Sequence, residues 1–268
     1  MSDQIQGIET STELPEITQT LFLKQLTNNQ AAINEINILI KCASKFVVQI
    51  HQIVIQNNNT ETISIVFQNE GKDLSKYLIE NNNPLPNASI IFSTIISAIS
   101  YLHNEMVICH RDVKPSNVMY NQTTGRVCLI DFGYATDIHT SELLFDAVGS
   151  PGFYAPEMFL SNEGYNGAAA DIWSCGVLYL ELILGSELFE EHWMRHGPFD
   201  ANNTYDKATF EVKMLRAIRS LRDLERNGTY SSDLGQIFRK TISLQPSRRY
   251  DVNELNLQLQ SLPDGNSK

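Results

Sequence analysis

The stretch HRDVKPSN, from His110 to Asn117, decides the fold assignment of this 268-residue chain. It fits the pattern H-R-D-x-K-x-x-N, whose five fixed positions, at about 5% each, occur by chance about once in ten thousand chains of this length. The stretch places a carboxylate, an ammonium group and an amide within six residues of one another. An isolated aspartate or lysine is usually a solvated surface charge, but this combination indicates a site.

Three further motifs follow in order along the chain. DFG occupies residues 131–133 and begins fourteen residues after Asn117, APE occupies residues 155–157, and DIWSCG occupies residues 171–176. In this order and at this spacing the motifs resemble those of the eukaryotic protein kinase family, and the resemblance covers residues 21–262. It implies ATP-dependent transfer of phosphate to the hydroxyl groups of a protein substrate.

The resemblance also assigns roles to four residues. Asp112 is expected to accept the hydrogen bond of the substrate hydroxyl, and Lys114 to neutralise the transferring phosphate. Asn117 and Asp131 are expected to be ligands of Mg²⁺, because oxygen ligands suit this ion, which keeps waters and is completed by the nucleotide. Phosphoryl transfer asks the protein mainly for positioning and charge neutralisation. ATP and Mg²⁺ are therefore the implied cofactors.

Lys114 and Ser150 bear on the substrate class. A lysine two residues after the aspartate is typical of Ser/Thr kinases, whereas tyrosine kinases usually replace that segment. Ser150 stands where the family usually has a threonine that bridges to this lysine and aspartate, so a Ser/Thr acceptor is favoured. Among subgroups, HRDVKPSN and the stretch GSPGFYAPE at residues 149–157 resemble the cell-division-cycle kinases that fire replication origins.

The front of the chain supplies the expected phosphate-binding lysine. LFLK at residues 21–24 resembles the V-A-I-K strand of the family, and Glu35 lies eleven residues further on, within a predicted helix. The resemblance implies that Glu35 pairs with Lys24 and fixes it on the α- and β-phosphates. Two unrelated surface charges are the alternative.

The segment IVFQNEGKDL, residues 65–74, resembles the hinge of cyclin-dependent kinases. By this resemblance the backbone of Gln68, Asn69 and Glu70 is expected to meet the adenine, and Met119 to lie under the base. Plain core packing is the alternative for Met119.

One element of the family is missing from the sequence. The Gly-rich loop should lie 17–22 residues before Lys24, and that window contains Gly7 as its single glycine. Side chains there limit the close approach of backbone to phosphates. Either the loop is degenerate or part of the front lobe is truncated. A pseudokinase that acts as a binding or scaffold protein is therefore the alternative to an active kinase, and an activating partner for the front lobe is expected to raise its ATP affinity.

Hydrophobic periodicity predicts an α+β, two-lobed architecture. A short apolar run broken by Lys24 indicates a strand at residues 20–26, and runs rich in Val and Ile indicate strands at residues 46–55 and 62–67. Apolar spacing indicates a helix over residues 31–43. After residue 71 the spacing is mainly helical. The prediction is a small, β-rich front lobe over residues 1–70 and a large helical back lobe over residues 71–268.

Composition narrows the partners. Lys and Arg number 20 and Asp and Glu number 31, which gives a formal charge of −11. This balance argues against a nucleic-acid-coating protein and against a binder of anionic membranes, although it is compatible with a local basic patch. The apolar stretch at residues 89–102 is too short to span a bilayer. Four cysteines without a CxxC pair predict reduced thiols in a cytoplasmic or nuclear protein.

The segment between DFG and APE predicts how the chain is activated. Residues 134–148 contain no Lys or Arg and carry Asp137, Glu142 and Asp146. In the family, the arginine that corresponds to Arg111 often pairs with a phosphate on this segment. Here one of the three carboxylates is expected to pair with Arg111 instead and to hold the segment without modification.

Overall fold

The computed structural model describes residues 9–11, 21–55, 62–81, 84–85, 87–138, 143–199 and 205–262. Within these residues a small sheet-rich front is followed by a large helical back. The predicted α+β, two-lobed class is therefore confirmed. The lobe boundary at residue 70 stays a prediction, and the window predicted for the Gly-rich loop lies outside the described residues.

The front lobe is built on a four-stranded sheet and one helix. The strands are β1 (Glu9–Ser11), β2 (Leu21–Thr27), β3 (Ile50–Ile55) and β4 (Thr62–Gln68), and the helix is α1 (Gln30–Lys41). The order is β1-β3-β4-β2, in which β4 runs antiparallel to both of its neighbours and β1 runs parallel to β3. Helix α1 begins where the Asn29 side chain accepts a hydrogen bond from the Ala32 N–H, which satisfies a free donor of its first turn.

The strand predicted over residues 46–55 is wrong at its beginning. The structure starts β3 at Ile50, and residues 46–48 leave this sheet. The Phe46 carbonyl accepts from the Leu129 N–H at 2.8 Å, and the Val48 N–H donates to the Leu129 carbonyl at 3.0 Å. The Val-rich run therefore satisfies its backbone groups in two places, which periodicity alone does not distinguish.

Short strands and helices make up the back lobe. The helices are α2 (Leu74–Asn81), α3 (Ala88–Ser100), α4 (Glu157–Leu160), α5 (Gly167–Phe189), α6 (Lys207–Arg226), α7 (Ser232–Thr241) and α8 (Val252–Gln260). One small sheet contains β5 (Lys72–Asp73), β7 (Val118–Tyr120) and β8 (Val127–Leu129), and another pairs β6 (Ile108–Cys109) with β9 (Thr136–Asp137). Both small sheets flank the catalytic segment and fix where it enters and leaves the core.

Helix α5 is the central helix of the core. Together, α5 and the π-helical turn after it cover residues 167–194, which are long and apolar enough to cross a membrane by length and composition. However, 72% of their most apolar 18-residue stretch is buried inside the protein. A helix that is apolar all round and buried is the normal centre of a large helical domain. It carries Asp171 and Trp173, both fully buried.

Glu181 on α5 is expected to make stability depend on pH. Burial alone raises the pKa of the Glu181 carboxyl from 4.5 to about 7. The folded state thus holds this proton more tightly than the unfolded state. The contribution of Glu181 to the free energy of unfolding is therefore most favourable below pH 4.5 and is lost as the pH rises through about 7. Glu181→Gln should raise the free energy of unfolding at pH 8 by about 1–2 kcal/mol, a value reduced for residual solvent contact, and change little at pH 4.5.

Urea denaturation at the two pH values measures this effect. Glu187→Gln, at an exposed position after the non-helical Gly185 that interrupts α5, is the matched control and should shift neither curve. An equal gain from Glu181→Gln at both pH values would show that the carboxyl does not titrate near 7.

Candidate active site

The backbone of the HRD segment is held by one buried carboxylate. Asp171 accepts hydrogen bonds from the N–H groups of His110 at 2.8 Å and Arg111 at 2.7 Å, and His103 Nε2 lies 2.9 Å from the same carboxylate. Arg111 has a φ of 65°, a left-handed conformation that non-glycine residues rarely adopt. Two charge-assisted bonds from the Asp171 carboxylate therefore fix this turn.

Asp112 lies at the centre of a polar cluster. Its Oδ2 accepts from Lys114 Nζ at 2.9 Å and from Asn117 Nδ2 at 2.9 Å, and the same Asn117 amide donates to the Asp112 carbonyl at 2.8 Å. Lys114 also donates to the Ser150 hydroxyl, so the predicted contact between these two residues is confirmed. The second oxygen, Asp112 Oδ1, is buried and has no hydrogen-bond partner within the described part of the chain.

An unpartnered buried acceptor is costly unless something donates to it. Leaving such an atom unsatisfied costs about 1–3 kcal/mol, so a hydrogen bond from water or from a ligand is expected at this oxygen. A substrate hydroxyl is such a donor. The geometry therefore fits the role predicted for Asp112.

Gly149 brings the activation segment close to this cluster. It has a φ of 101°, and a Cβ at this position would lie 2.8 Å from the Arg111 carbonyl oxygen. A side chain would push Ser150 away from Lys114, so glycine is required both for its conformation and for the close approach.

Lys24 bridges two carboxylates. Its Nζ donates to Glu35 Oε1 at 2.6 Å and to Asp131 Oδ1 at 2.9 Å. The predicted Lys24–Glu35 pair is thus present, and Asp131 is an additional partner. Burial lowers the pKa of Lys24, but the two carboxylates outweigh this and hold the pKa above its ordinary value. For Asp131 the directions are reversed. Burial raises the pKa of its carboxyl, but the charge and hydrogen bond of Lys24 outweigh burial and leave the pKa below its ordinary value.

Asp131 and Asn117, the two predicted metal ligands, carry the oxygen atoms that Mg²⁺ prefers. Asp131 has a φ of 61°, and its Oδ1 accepts from the Gly133 N–H at 3.3 Å. The carboxylate is partly exposed, while Asn117 is buried. Among the residues with described positions no cluster of three His, Cys, Asp or Glu side chains could hold a metal by itself. The roles of Asp131 and Asn117 as metal ligands stay predictions.

The predicted hinge begins within the last residues of β4, which ends at Gln68, and continues to the beginning of α2. The Gln68 N–H donates to the Gln49 carbonyl at 3.3 Å, and the Asn69 side chain accepts from the Gly71 N–H at 3.0 Å. Glu70 is buried and its carboxylate lies 3.0 Å from Arg126. The contacts of Gln68, Asn69 and Glu70 with adenine stay predictions.

Gly71 lies in the predicted hinge immediately before β5, and Met119 lies on β7, the strand that pairs with β5. A Cβ on Gly71 would come 2.4 Å from the Tyr120 carbonyl oxygen, so the hinge can approach β7 here because no side chain intervenes. Met119 lies on β7, where it pairs with Asp73 and belongs to the hydrophobic core. Core packing of Met119 is confirmed, and its contact with the base stays a prediction.

Arg111 ties the activation segment to the catalytic segment. Its guanidinium donates to Asp146 Oδ1 at 2.5 Å, to the Tyr165 hydroxyl at 3.1 Å and to the Tyr134 carbonyl at 2.6 Å. The Tyr165 hydroxyl donates in turn to the Asp146 carbonyl at 3.0 Å. The expectation that a carboxylate of the segment pairs with Arg111 is confirmed, and the residue is Asp146.

A buried ion pair closes the far end of the segment. Arg249 donates to both oxygens of Glu157, at 2.5 and 2.7 Å, and its guanidinium lies 5.0 Å from the ring centre of Trp173. This bidentate pair fixes α4 and the end of the APE motif against the segment that leads into α8.

Sequence reasoning missed two site contacts. It did not assign Tyr165 to the Arg111 network, because a lone tyrosine 54 residues away carries no spacing signal. It also did not predict the Lys24–Asp131 contact, which joins residues 107 apart. Opposite charges within the recognised motifs were the only signal for the second contact.

A family model and several curated relatives match this chain. The family model described as "Protein kinase domain" matches residues 17–258. The chain is 36% identical over 146 residues to the "CBL-interacting serine/threonine-protein kinase 21" of Arabidopsis thaliana, which covers 54% of this chain and 34% of that protein. It is 28% identical over 203 residues to the "Probable serine/threonine-protein kinase HSL1" of Saccharomyces cerevisiae, covering 75% of this chain and 12% of that protein.

A mammalian protein shows the same relation. The "SNF-related serine/threonine-protein kinase" of Rattus norvegicus is 33% identical over 147 residues, which cover 54% of this chain and 19% of that protein. The chain thus spans about a third or less of the length of these three relatives.

Proposed function

Because this chain belongs to the protein kinase family, we propose that it is a Ser/Thr protein kinase, which transfers the γ-phosphate of ATP to protein hydroxyls with Mg²⁺ as the metal. The observation that carries the proposal is the buried, unpartnered Asp112 Oδ1 beside Lys114 and Ser150. The reported relatives are named Ser/Thr kinases. Their names do not support the replication-origin subgroup, which stays a prediction.

Each residue of the cluster has a proposed task. Asp112 accepts the hydrogen bond of the substrate hydroxyl and orients it, while Lys114, held by Asp112 and Ser150, contributes positive charge beside the reacting phosphate. Lys24, oriented by Glu35, binds the α- and β-phosphates, and Asn117 and Asp131 hold the metal. When bound, Mg²⁺ supplies charge neutralisation on the phosphates. Residues 68–70 bind adenine through backbone groups, over Met119.

Phosphate transfer by the purified chain tests the proposal. Mg²⁺-ATP and a mixture of unstructured Ser/Thr-rich and Tyr-rich peptides are incubated with the chain, and the modified residue is identified by mass spectrometry. Phosphoserine or phosphothreonine supports the proposal. Phosphotyrosine alone, or no transfer at any protein concentration, contradicts it. The second outcome would favour the pseudokinase.

Asp131→Asn should abolish the metal-dependent part of nucleotide binding. A ligand at a free concentration of about 10–100 times its Kd raises the melting temperature of a chain of this size by roughly 2–8 °C. We expect wild type to show a larger shift with ATP and Mg²⁺ than with ATP and EDTA, because a carboxylate faces the metal. In the variant the two shifts should be equal.

The control for this measurement is Asp137→Asn, which removes an exposed carboxylate of the same segment. Asp137 pairs with Lys41 at 3.1 Å, away from Lys24. The control should keep the metal-dependent shift. A wild-type protein without any metal-dependent shift would argue against the assigned metal ligands.

The proposal extends to a partner for the front lobe. Among the described residues β2, which carries Lys24, has β4 as its single neighbouring strand. An unpaired strand edge offers free backbone donors and acceptors to another chain. A partner that binds there would raise the population of the ATP-competent form by mass action. We propose a cytoplasmic or nuclear location, which the four free, buried cysteines favour.

A further inference from the structure

The basic residues of this acidic chain are concentrated in one region. Residues 207–249 contain ten of the 20 Lys and Arg residues and four of the 31 Asp and Glu residues. The region therefore carries a formal charge of +6, while the remaining chain carries −17. Such a separation of charge attracts an anionic partner to one surface and repels it from the others.

Four of these cations, Arg222, Arg239, Lys240 and Arg248, line a cavity of about 520 Å³ between α6, α7 and the turn at residues 246–248. Its floor includes the buried side chains of Leu221, Phe238 and Ile242. The exposed residues Arg222 and Arg248 stand on its rim. We call this cavity, with its floor and rim, the basic groove.

The rim has cations without carboxylate partners. Within the part of the chain that the structure describes, no Asp or Glu pairs with Arg222, Lys240 or Arg248, whereas Arg239 on the same rim is neutralised by Glu225 at 2.5 Å. Lys240 lies 5.7 Å from the ring centre of Tyr250. Unpaired charges beside an apolar floor are an arrangement that a ligand with both negative and apolar groups would satisfy.

The basic groove continues into a second cavity of about 460 Å³. Leu215 and Leu244 line both cavities, and the second one extends to Leu160 at the end of α4. Leu215 is 54% exposed, an unusual state for a leucine between two cavities. Because Glu163 and Glu211 line this second cavity beside Lys207, an acidic ligand is favoured in the basic groove itself and not in the second cavity.

We propose that the basic groove binds an acidic peptide segment of another protein, with apolar side chains that enter the floor. The Coulomb attraction would come from the unpaired rim cations, and the apolar anchors would gain from burial against Leu215 and Leu221. This site is separate from the Asp112 cluster and recruits a protein rather than modifying it.

Nucleic acid fits the basic groove less well. Single strands bind largely by stacking bases on accessible aromatic rings, and the two rings that line the groove, Tyr230 and Phe238, are buried. A long polyanion would also meet the excess negative charge of the remaining chain. A short acidic peptide avoids this repulsion because screening limits it to about 8 Å at physiological salt.

Fluorescence anisotropy with designed peptides tests the proposal on the full chain. The probe is a labelled peptide of sequence EELEFEELEE, compared with QQLQFQQLQQ, which lacks the charge, and EESESEESEE, which lacks the apolar anchors. We expect the first peptide to bind most tightly and to lose affinity as salt is raised. Circular dichroism and the melting temperature verify the fold of each variant.

Matched charge reversals locate the site. Arg222→Glu with Arg248→Glu should weaken binding of the first peptide by about tenfold. Arg195→Glu with Arg226→Glu makes the same change in net charge at side chains that are 70% and 78% exposed and outside the basic groove. This control should weaken binding by less than about threefold.

A second variant covers failure of the first to fold. Leu215→Ser removes the exposed apolar edge without changing charge, and it should lower affinity for EELEFEELEE but not for EESESEESEE. Equal weakening by both charge pairs, equal binding of all three peptides, or tighter binding of the oligonucleotide dT10 than of the acidic peptide would each overturn the proposal.

Discussion

Asp112→Asn is expected to lower the rate of phosphate transfer by roughly 10²–10⁴, while nucleotide binding stays near that of wild type. The substitution keeps the size of the side chain. To keep the bonds from Lys114 and Asn117, the new amide must turn its oxygen to the Oδ2 position. Its NH₂ group then replaces Oδ1, so the position that should accept from the substrate hydroxyl becomes a donor.

Single-turnover transfer and ATP binding, measured on the same preparation, test this prediction. Asn227→Asp, on the exposed turn after α6, serves as a change between the same two residue types away from the site and should leave transfer unchanged. An Asp112→Asn protein that retains more than a tenth of the wild-type rate would remove Asp112 from its proposed role.

Asp146→Ala is expected to lower transfer by about tenfold to a hundredfold, since it leaves the buried Arg111 guanidinium without its carboxylate. The expected loss corresponds to about 1–3 kcal/mol of stabilisation, below the value for a fully buried pair because Asp146 is exposed. Arg111 would still have the Tyr134 carbonyl and the Tyr165 hydroxyl, so the segment should loosen rather than unfold. Asp146→Asn keeps a hydrogen-bond acceptor, so its rate of transfer should lie between those of wild type and Asp146→Ala.

The same contact predicts activity without phosphorylation of the segment. Treatment with phosphatase, and the triple change Thr136→Ala, Thr140→Ala and Ser141→Ala, should each leave transfer within about tenfold of wild type, or ~1.4 kcal/mol. Residues 140 and 141 lie outside the described residues.

The matched control for Asp146→Ala is Asp137→Ala, because it removes an acidic side chain that pairs with Lys41 instead. A large loss in the phosphatase-treated and triple-variant samples would show that a phosphate is required.

Much of the site could be predicted because its residues lie in short, ordered motifs. The HRDVKPSN stretch predicted Asp112, Lys114 and Asn117 as parts of one site, and the structure shows them in contact. The helical spacing around Glu35 placed it on a helix able to reach Lys24. These are local patterns, and a local pattern can be recognised without knowledge of the fold.

The rest depends on long-range packing. Three acidic residues of the activation segment were equivalent as charges, and the choice of Asp146 follows from the backbone pairing of Leu144 with Tyr165, which places Asp146 beside Arg111. The pairing of residues 46–48 with Leu129 and the burial of Glu70 against Arg126 likewise join segments far apart in the sequence. Single-sequence periodicity contains no information on such pairs.

The Glu157–Arg249 pair sets an order of events during protein synthesis. Its two members are 92 residues apart, so at roughly 5–20 residues per second the ribosome adds Arg249 about 5–20 s after Glu157. Throughout that interval Glu157 lacks the guanidinium that fixes it, and the α4 region cannot take its final position. A nascent chain that already contains HRD, DFG and APE should therefore be unable to hold a protein substrate, and the capacity to do so should arise only when the last helices have left the ribosome.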